Sequence, residues 1–479
     1  MQKLRQRFAT YLIILCALCL GACTQSHLQI FPELANPALP QQQLSVKQMH
    51  ADIDHLLEVV VAWHPELSEY ADLAQIQQHA ELLKQQINKP LLRTEFYTVI
   101  ARLNQTFNDG HTLLLWPYPE YQQLQSQGHL FFPWQLKLAE NGSLLLQHSY
   151  QLADGLQVSA GSEILSINQV PVTQLLDSLQ AYGNGETAAL RQEMLVSRFG
   201  LSLWASLGWK DQFEVTLKPM QQPVQTLQLQ RGQDWQMVDA EPQDYAYKQI
   251  RPGVGLLQLN TFDLDEDEFA DFLDQSFVTM QQQQVHSLLI DLRQNTGGNT
   301  DTVNYLSRYL SDKPFRLASQ LREKLNPDNS GWFGYKGQPG TLLQQDWTEW
   351  EQPFAVDKRF VGKSYLLIGP RTYSAAIVFA TAAQDQQFAT LLGSPTEGFA
   401  NQTAQGNLFN LPHSQLRAYV ATRILVRPNG KPHRHSVTPD VRFDVRIDDT
   451  ALAMPGGAEA DPQLQQSLQL IEQRQQTAQ

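Results

Sequence analysis

The chain has 479 residues, 42% of them apolar and 17% charged, and its 35 Lys and Arg against 48 Asp and Glu give a formal net charge of −13 at pH 7. That acidic balance excludes the basic footprint that nucleic-acid binding requires. The three cysteines, Cys16, Cys19 and Cys23, all lie at the extreme N-terminus and no His-Glu-x-x-His run occurs, so neither a disulfide framework nor a Cys₂His₂ or zincin site is available.

The N-terminus reads as a secretion leader. Lys3, Arg5 and Arg7 make a basic start, residues 8–20 are apolar-biased, and Gly21-Ala22 leads into Cys23. The apolar run is too short for a lasting membrane span. Leu20-Gly21-Ala22-Cys23 resembles the lipobox of bacterial lipoproteins, which implies a leader of residues 1–22 and a diacylglycerol on the Cys23 thiol. The expected membrane contact is this lipid anchor. Thr24 stands where an inner-membrane retention signal would show Asp, which points to the outer membrane of a Gram-negative cell. Losing the leader removes three positive charges and no negative one, taking the formal charge to −16. The roughly 450 residues left suit two or three domains.

Residues 23–45, rich in Pro, Gln and Ala, are expected to be a tether. From there Met49, Ile53, Leu56, Leu57 and Val60 recur at helical spacing, a second periodic stretch covers 73–87, and a third, 93–103, follows Pro90. The N-terminal helical region is therefore placed at 46–125. Residues 126–240 change to short alternating stretches with turn signals, as in 143–148 after Asn141-Gly142 and 163–167 before Asn168-Gln169. Residues 161–168 resemble the Gly-Asp-x-Ile-x-x-Ile-Asn-Gly stretch of PDZ modules, with 172–181 as the groove helix. Such a groove would recruit an extended peptide by strand addition. A plain β-hairpin gives the same pattern, and Gln169 replaces the usual glycine.

Residues 241–450 read as α/β. Strands are predicted at 255–260, 287–292 and 364–368. A helix over 300–310 follows the Gly297-Gly298 turn, and an alanine-rich helix starts near Ser374 after Gly369-Pro370. Two strand–loop–helix units imply a parallel sheet covered by helices. The polar tail, 451–479, carries one amphipathic helix at 462–474. No repeat is present.

Three elements carry candidate chemistry. Ser374 opens a helix just after a strand, where open α/β sheets put their sites and where the helix dipole favours an alkoxide. An ordinary capping serine would occupy the same position. Gly297 and Gly298 end a neighbouring strand, and consecutive glycines let backbone N–H groups approach a ligand as an oxyanion hole requires. His111, beside the tight Asp109-Gly110 turn, can be pinned rigidly and still reach a cleft as a general base.

Taken in order, five stretches resemble the tail-specific (C-terminal processing) serine peptidases over about two hundred residues. They are strand 288–292 with Arg293-Gln294-Asn295-Thr296-Gly297-Gly298, then Gly369-Pro370 with Ser374-Ala375, then 393–398, 410–414 and Val437-Thr438-Pro439-Asp440. The resemblance implies a crotonase-like catalytic core, a peptide or protein substrate, no cofactor, Ser374 as nucleophile, and oxyanion donors from the Gly297, Gly298 and Ala375 amides. One branch takes its base from a lysine in the segment matching 393–398. Here the only lysine after Ser374 is Lys431, in a polar turn. The tricorn-like branch uses a histidine from the N-terminal region, and Asp109-Gly110-His111-Thr112 is similar to that motif, which implies His111 as base. That branch orients its histidine with a glutamate shortly before the Val-x-Pro-Asp stretch, where this chain has His433-Arg434-His435-Ser436. Asp109, Glu397 and Asp440 are the candidates for the orienting group. His433 and His435, one apart in a polar loop, read as solvated rather than as metal ligands, and Arg293 as support for its loop. Two other functions remain compatible with the sequence: a non-catalytic carrier of peptides or hydrophobic ligands on the same fold, and a hydrolase of peptidoglycan cross-links.

Overall fold

The computed structural model describes residues 34, 36–139, 141–220, 222–238, 243–327, 329–330, 334–432, 434–443 and 461–478. The leader, Cys23, the first part of the tether and His433 lie outside them.

The chain is α/β, organised on a six-stranded sheet whose spatial order is Tyr245–Arg251, Val254–Leu259, Ser287–Asp291, Lys363–Ile368, Thr390–Gly393 and Val441–Arg442. The first two strands form an antiparallel hairpin and the remaining neighbours pair in parallel. Parallel strands need covered crossovers, and the helices Glu266–Gln282, Thr300–Leu310 and Ala375–Gln386 supply them. Alternation along the strands sorts the core into two layers. Leu288, Ile290, Leu366 and Ile368 bury against those helices, whereas Leu289, Tyr365 and Leu367 meet Leu464, Leu468 and Ile471 of the C-terminal helix Pro462–Ala478. The amphipathic helix anticipated at 462–474 therefore covers one face of the sheet. Arg293, at the end of Ser287–Asp291, ties that helix to the sheet by pairing with both Asp291 and Asp461.

A second sheet, ordered Leu342–Asp346, Gln320–Lys324, Arg417–Val426 and Gln402–Asn410, takes in a short strand from far upstream. Leu113–Leu114 pairs antiparallel with Tyr419 and Ala418. Here the N-terminal helices join the C-terminal half of the chain. Ser45 starts the helix Val46–Trp63 with a capping box to Gln48. The core of Met49, Ile53, Leu56, Phe96, Ile100 and Phe107 includes Leu411, Leu416, Ala418 and Val420. Polar groups lock the seam: the fully buried Asp52 accepts from the backbone N–H groups of His413 and Ser414 at 2.9 and 2.8 Å, and Arg93 donates to the Ser414 carbonyl at 2.8 Å while pairing with buried Glu120.

Between these parts, Leu136–Leu138, Leu144–Leu146, Glu163–Ile167, Gln212–Lys218 and Gln225–Gln230 form a separate antiparallel sheet. The Asn168-Gln169 turn has φ of 50° and 66°, as a two-residue hairpin turn demands, and the helix Val172–Leu179 follows. Two further helices, Ala188–Val196 and Phe199–Leu207, are absent from the sequence reading. Phe199–Leu207 buries most of its residues, so no polar face marks its period.

Replacing Arg93 with Ala strands the Glu120 carboxylate in the seam. The expected loss of stability is about 3–5 kcal/mol, measured as a lowered urea midpoint with an unchanged m-value.

Candidate active site

The site is assembled at the C-terminal ends of Ser287–Asp291 and Lys363–Ile368, and the loop after the second strand is tightly laced. The Thr372 hydroxyl donates to the Leu292 carbonyl at 2.9 Å and accepts from the Gly369 N–H at 3.0 Å, and the Tyr373 N–H donates to the Asn295 carbonyl at 3.0 Å. This lacing holds Ser374 at φ 51° and ψ −121°, a strained conformation for a residue with a Cβ. Ser374 occupies the N-cap position of Ala375–Gln386 yet makes no side-chain capping bond. The capping-serine alternative does not account for it. Its Oγ lies 3.0 Å from His111 Nε2.

The Gly297-Gly298 turn packs directly on the serine. A Cβ at Gly297 would fall 2.6 Å from Ser374 Cβ and 2.9 Å from the Ala375 nitrogen, and φ at Gly297 is 104°. Only glycine fits there. Of the three expected oxyanion amides, that of Gly297 is already committed: it donates to Asn295 Oδ1 at 2.9 Å. Fully buried Asn295 thereby shapes the turn instead of leaving that N–H free. The backbone hydrogen bonds of the described residues use neither the Gly298 nor the Ala375 N–H, so those two amides are the donors suited to a developing oxyanion.

His111 arrives from the N-terminal region. Asn108 closes the short helix Asn104–Phe107 in the left-handed conformation, at φ 47°. Asn104 then pins the outgoing chain, donating to the Leu114 carbonyl at 3.1 Å and accepting from the Leu114 N–H at 2.8 Å. Strand pairing at Leu113–Leu114 fixes the register.

Hydrogen bonding then dictates the tautomer of His111. Its Nδ1 lies 3.0 Å from Thr403 Oγ1, and the Thr403 hydroxyl donates to Asp109 Oδ1. A hydroxyl that gives its hydrogen to a carboxylate can only accept from the imidazole, so Nδ1 carries the hydrogen and Nε2 presents its lone pair to Ser374. Asp109, fully buried, also accepts the His111 backbone N–H at 3.1 Å and the Nε2 hydrogen of His64 across 3.2 Å. The Glu66 N–H donates to His64 Nδ1, which assigns that hydrogen to Nε2. Burial alone would raise the Asp109 carboxyl, but the hydrogen bond from His64 and the favourable field of its N–H, with help from His111 and Thr112, hold it well below the usual carboxylate range. Burial lowers the His111 pKa from its ordinary value of 6.5, and Asp109 only partly opposes that shift. The imidazole is therefore unprotonated at neutral pH, as proton abstraction requires.

The other expected orienting groups lie elsewhere. Glu397 accepts from the Thr187 hydroxyl at 2.7 Å and donates its N–H to the Pro370 carbonyl. Asp440 accepts from the Leu391 N–H at 2.8 Å and from Gln384 Nε2 at 2.9 Å, at the start of Thr390–Gly393. Neither is bonded to His111. Exposed Lys431 accepts at its carbonyl from Asn401, and Arg434 stacks over Tyr70. Four residues at the site escaped the sequence reading: Thr403, His64, Tyr373 and Glu186. Thr403 stands second in an alternating strand and His64 ends a helix, and nothing local distinguishes either.

Residues 253–443 match the family model of peptidase family S41. Among solved structures, mature CPAF in complex with lactacystin matches with a TM-score of 0.64 and 16% identity, over 89% of this chain and 98% of that one. Mature CPAF alone matches with a TM-score of 0.61 and 16% identity, over 86% and 95%. The photosystem II D1 C-terminal processing protease matches with a TM-score of 0.46 and 16% identity, over 87% and 99%. No curated protein matches the chain significantly. Residues 253–443 thus form a domain of peptidase family S41, the tail-specific peptidases, which indicates a serine-type peptidase.

Because burial lowers the His111 pKa, the acid limb of the rate profile should lie below the ordinary histidine value of 6.5. The rate of Ser374 modification by a fluorophosphonate, followed from acidic to neutral pH, measures it. An inflection above that value contradicts the buried-base geometry.

Proposed function

We propose that the protein is an endopeptidase or carboxyl-terminal processing peptidase of the bacterial cell envelope, with Ser374 as nucleophile and His111 as general base. The observation that carries this reading is the 3.0 Å approach of Ser374 Oγ to His111 Nε2, on a ring whose Nδ1 hydrogen is engaged by Thr403. The Ser374 proton passes to Nε2 as Oγ attacks the peptide carbonyl carbon, and the carbonyl electrons move onto oxygen. The Gly298 and Ala375 amides receive that oxyanion, each such donor being worth about 3 kcal/mol. Collapse expels the amine, which takes the proton from Nε2, and water repeats the sequence to free the acyl group.

Thr403 and Asp109 together are the orienting pair in this mechanism. Asp109 stabilises the imidazolium through the intervening hydroxyl, in the role a carboxylate plays directly in a Ser-His-Asp triad. The formed nucleophile–base contact favours catalysis over the non-catalytic carrier. The Leu20–Cys23 lipobox supports attachment to the membrane by a lipid on Cys23, with the outer membrane as destination.

Ser374→Ala should abolish fluorophosphonate labelling and peptide cleavage, and His111→Ala should slow both by about 10²–10⁴-fold. Thr403→Val, nearly isosteric, should lower kcat with little change in KM, because it cuts the link to Asp109 without touching substrate. Labelling undiminished in His111→Ala would overturn the assignment. In cells fed a labelled palmitate, the protein should become labelled, and Cys23→Ala should release it from membranes.

A further inference from the structure

The Nδ1 edge of His111 faces a second hydroxyl. Tyr373, the residue before the nucleophile, stacks on the imidazole with ring centroids 5.2 Å apart and planes 19° apart, and its hydroxyl lies 3.3 Å from Nδ1. The ring has no freedom to leave. A Cβ at Gly110 would fall 2.0 Å from the Tyr373 oxygen, and one at Gly398 would fall 2.5 Å from its Cδ2. The Tyr373 hydroxyl donates to Glu186 Oε1 at 2.9 Å. Like Thr403, it hands its hydrogen to a carboxyl group and can only accept from the imidazole.

Glu186 belongs to a different part of the chain, the segment that follows Val172–Leu179 in the middle region. Its neighbours bind two loops of the site, the histidine loop and the one that carries Glu397. Asn184 Nδ2 donates to the Gly110 carbonyl at 2.6 Å, Thr187 Oγ1 to Glu397 at 2.7 Å, and Arg191 Nη1 to Asn108 Oδ1 at 3.3 Å. Leu190 is buried in the catalytic core itself. The middle region thus delivers one short segment into the space between the histidine loop and the serine loop.

We propose that Tyr373 and Glu186 are positioning residues for His111, a second hydroxyl–carboxyl arm through which the middle region holds the base against Ser374. This rests on the assignment of His111 as general base. The arm differs from Thr403–Asp109 in charge. Burial, reinforced by the charge of Asp109, pushes the Glu186 carboxyl up to about 8, although Tyr373 and Arg191 pull the other way. The charged or titratable groups facing it are Asp109 from the histidine loop, Tyr373 from the serine loop, Arg191 from the helix that follows, and Tyr70 from the N-terminal helices. At neutral pH Glu186 is a carboxylic acid. As pH rises through its raised pKa it gains a charge beside Asp109, and the neutral form that suits the folded packing is lost.

The test compares the fluorophosphonate labelling rate and thermal unfolding midpoint of wild type with those of H111A, E186A, E186Q and Y373F, from neutral to alkaline pH. E186A and Y373F should label roughly 10–100-fold more slowly, the scale on which small misplacement of a reacting group costs rate. With a peptide substrate the loss should fall on kcat rather than KM. E186Q keeps an acceptor for the tyrosine and should recover most of the neutral-pH rate, while erasing the change in rate that wild type shows near pH 8. Rates and alkaline profiles of E186A and E186Q equal to wild type, with H111A still slow, overturn the arm alone. Loss in E186A and E186Q alike, with a matching fall in unfolding midpoint, reduces Glu186 to a structural residue and also overturns it. Undiminished labelling in H111A removes the base assignment instead.

Discussion

Everything at the site depends on a short strand pairing that brings one loop home. His111 and Ser374 are 263 residues apart, and two consecutive ladder pairs, Leu113 with Tyr419 and Leu114 with Ala418, fix where the imidazole sits. A slip of one residue there would turn every side chain to the opposite face and send His111 away from the serine. The hydrophobic seam prevents the slip, because Leu114, Ala418 and Val420 share one buried cluster with the N-terminal helices. The approach of His111 to Ser374 is thus an output of the interface between two regions. The buried Asp52 and Arg93 contacts to the 413–415 segment belong to the same requirement.

On the other side of the reacting pair, strain is held by saturation. The left-handed backbone at Ser374 costs on the order of 1–3 kcal/mol and persists because the loop before it has little left to rearrange. Thr372 serves as donor and acceptor at once, Tyr373 is bonded through both its N–H and its hydroxyl, and Gly297 lies close enough to exclude any side chain. The conformation points Oγ away from the helix end it would otherwise cap and toward the imidazole. Asn295 contributes by consuming the Gly297 amide, which leaves the adjacent Gly298 and Ala375 N–H groups as the ones without a backbone acceptor among the described residues.

What was legible in the sequence was local. The helix Thr300–Leu310 falls where its periodicity put it, and Ser287–Asp291 and Lys363–Ile368 differ from expectation by a single residue at one end, because buried parallel strands announce themselves as apolar runs bounded by glycine. Ser374 and His111 stood out as candidates at their turns, but their roles came only from the resemblance to the tail-specific peptidases. Thr403 was not, since a threonine in an alternating strand is unremarkable until folding sets it between an imidazole and a carboxylate. Asp109 was readable as a candidate beside Glu397 and Asp440, but its mode of action was not, because it reaches the ring through a residue 294 positions away. The helix Phe199–Leu207 was missed for the opposite reason: buried nearly all round, it leaves no amphipathic trace.

The two carboxyl groups near His111 show how burial can yield opposite charge states within one site. Asp109 and Glu186 are both removed from water, and desolvation opposes ionisation in each. Asp109 overcomes it because a histidine, a threonine hydroxyl and a backbone N–H all point at its oxygens. Glu186 has the Tyr373 hydroxyl and the more distant Arg191, and the Asp109 charge works against it, so it stays protonated. Environments that push two carboxyl pKa values apart are how a single fold separates roles. Here the ionised group can stabilise an imidazolium, while the neutral one can anchor the stacked tyrosine without adding a second negative charge. Two ionised carboxylates on the same edge would raise the imidazole pKa and fill the base with a proton before substrate arrived. A neutral partner lets the ring be held on two sides and still accept the serine hydrogen.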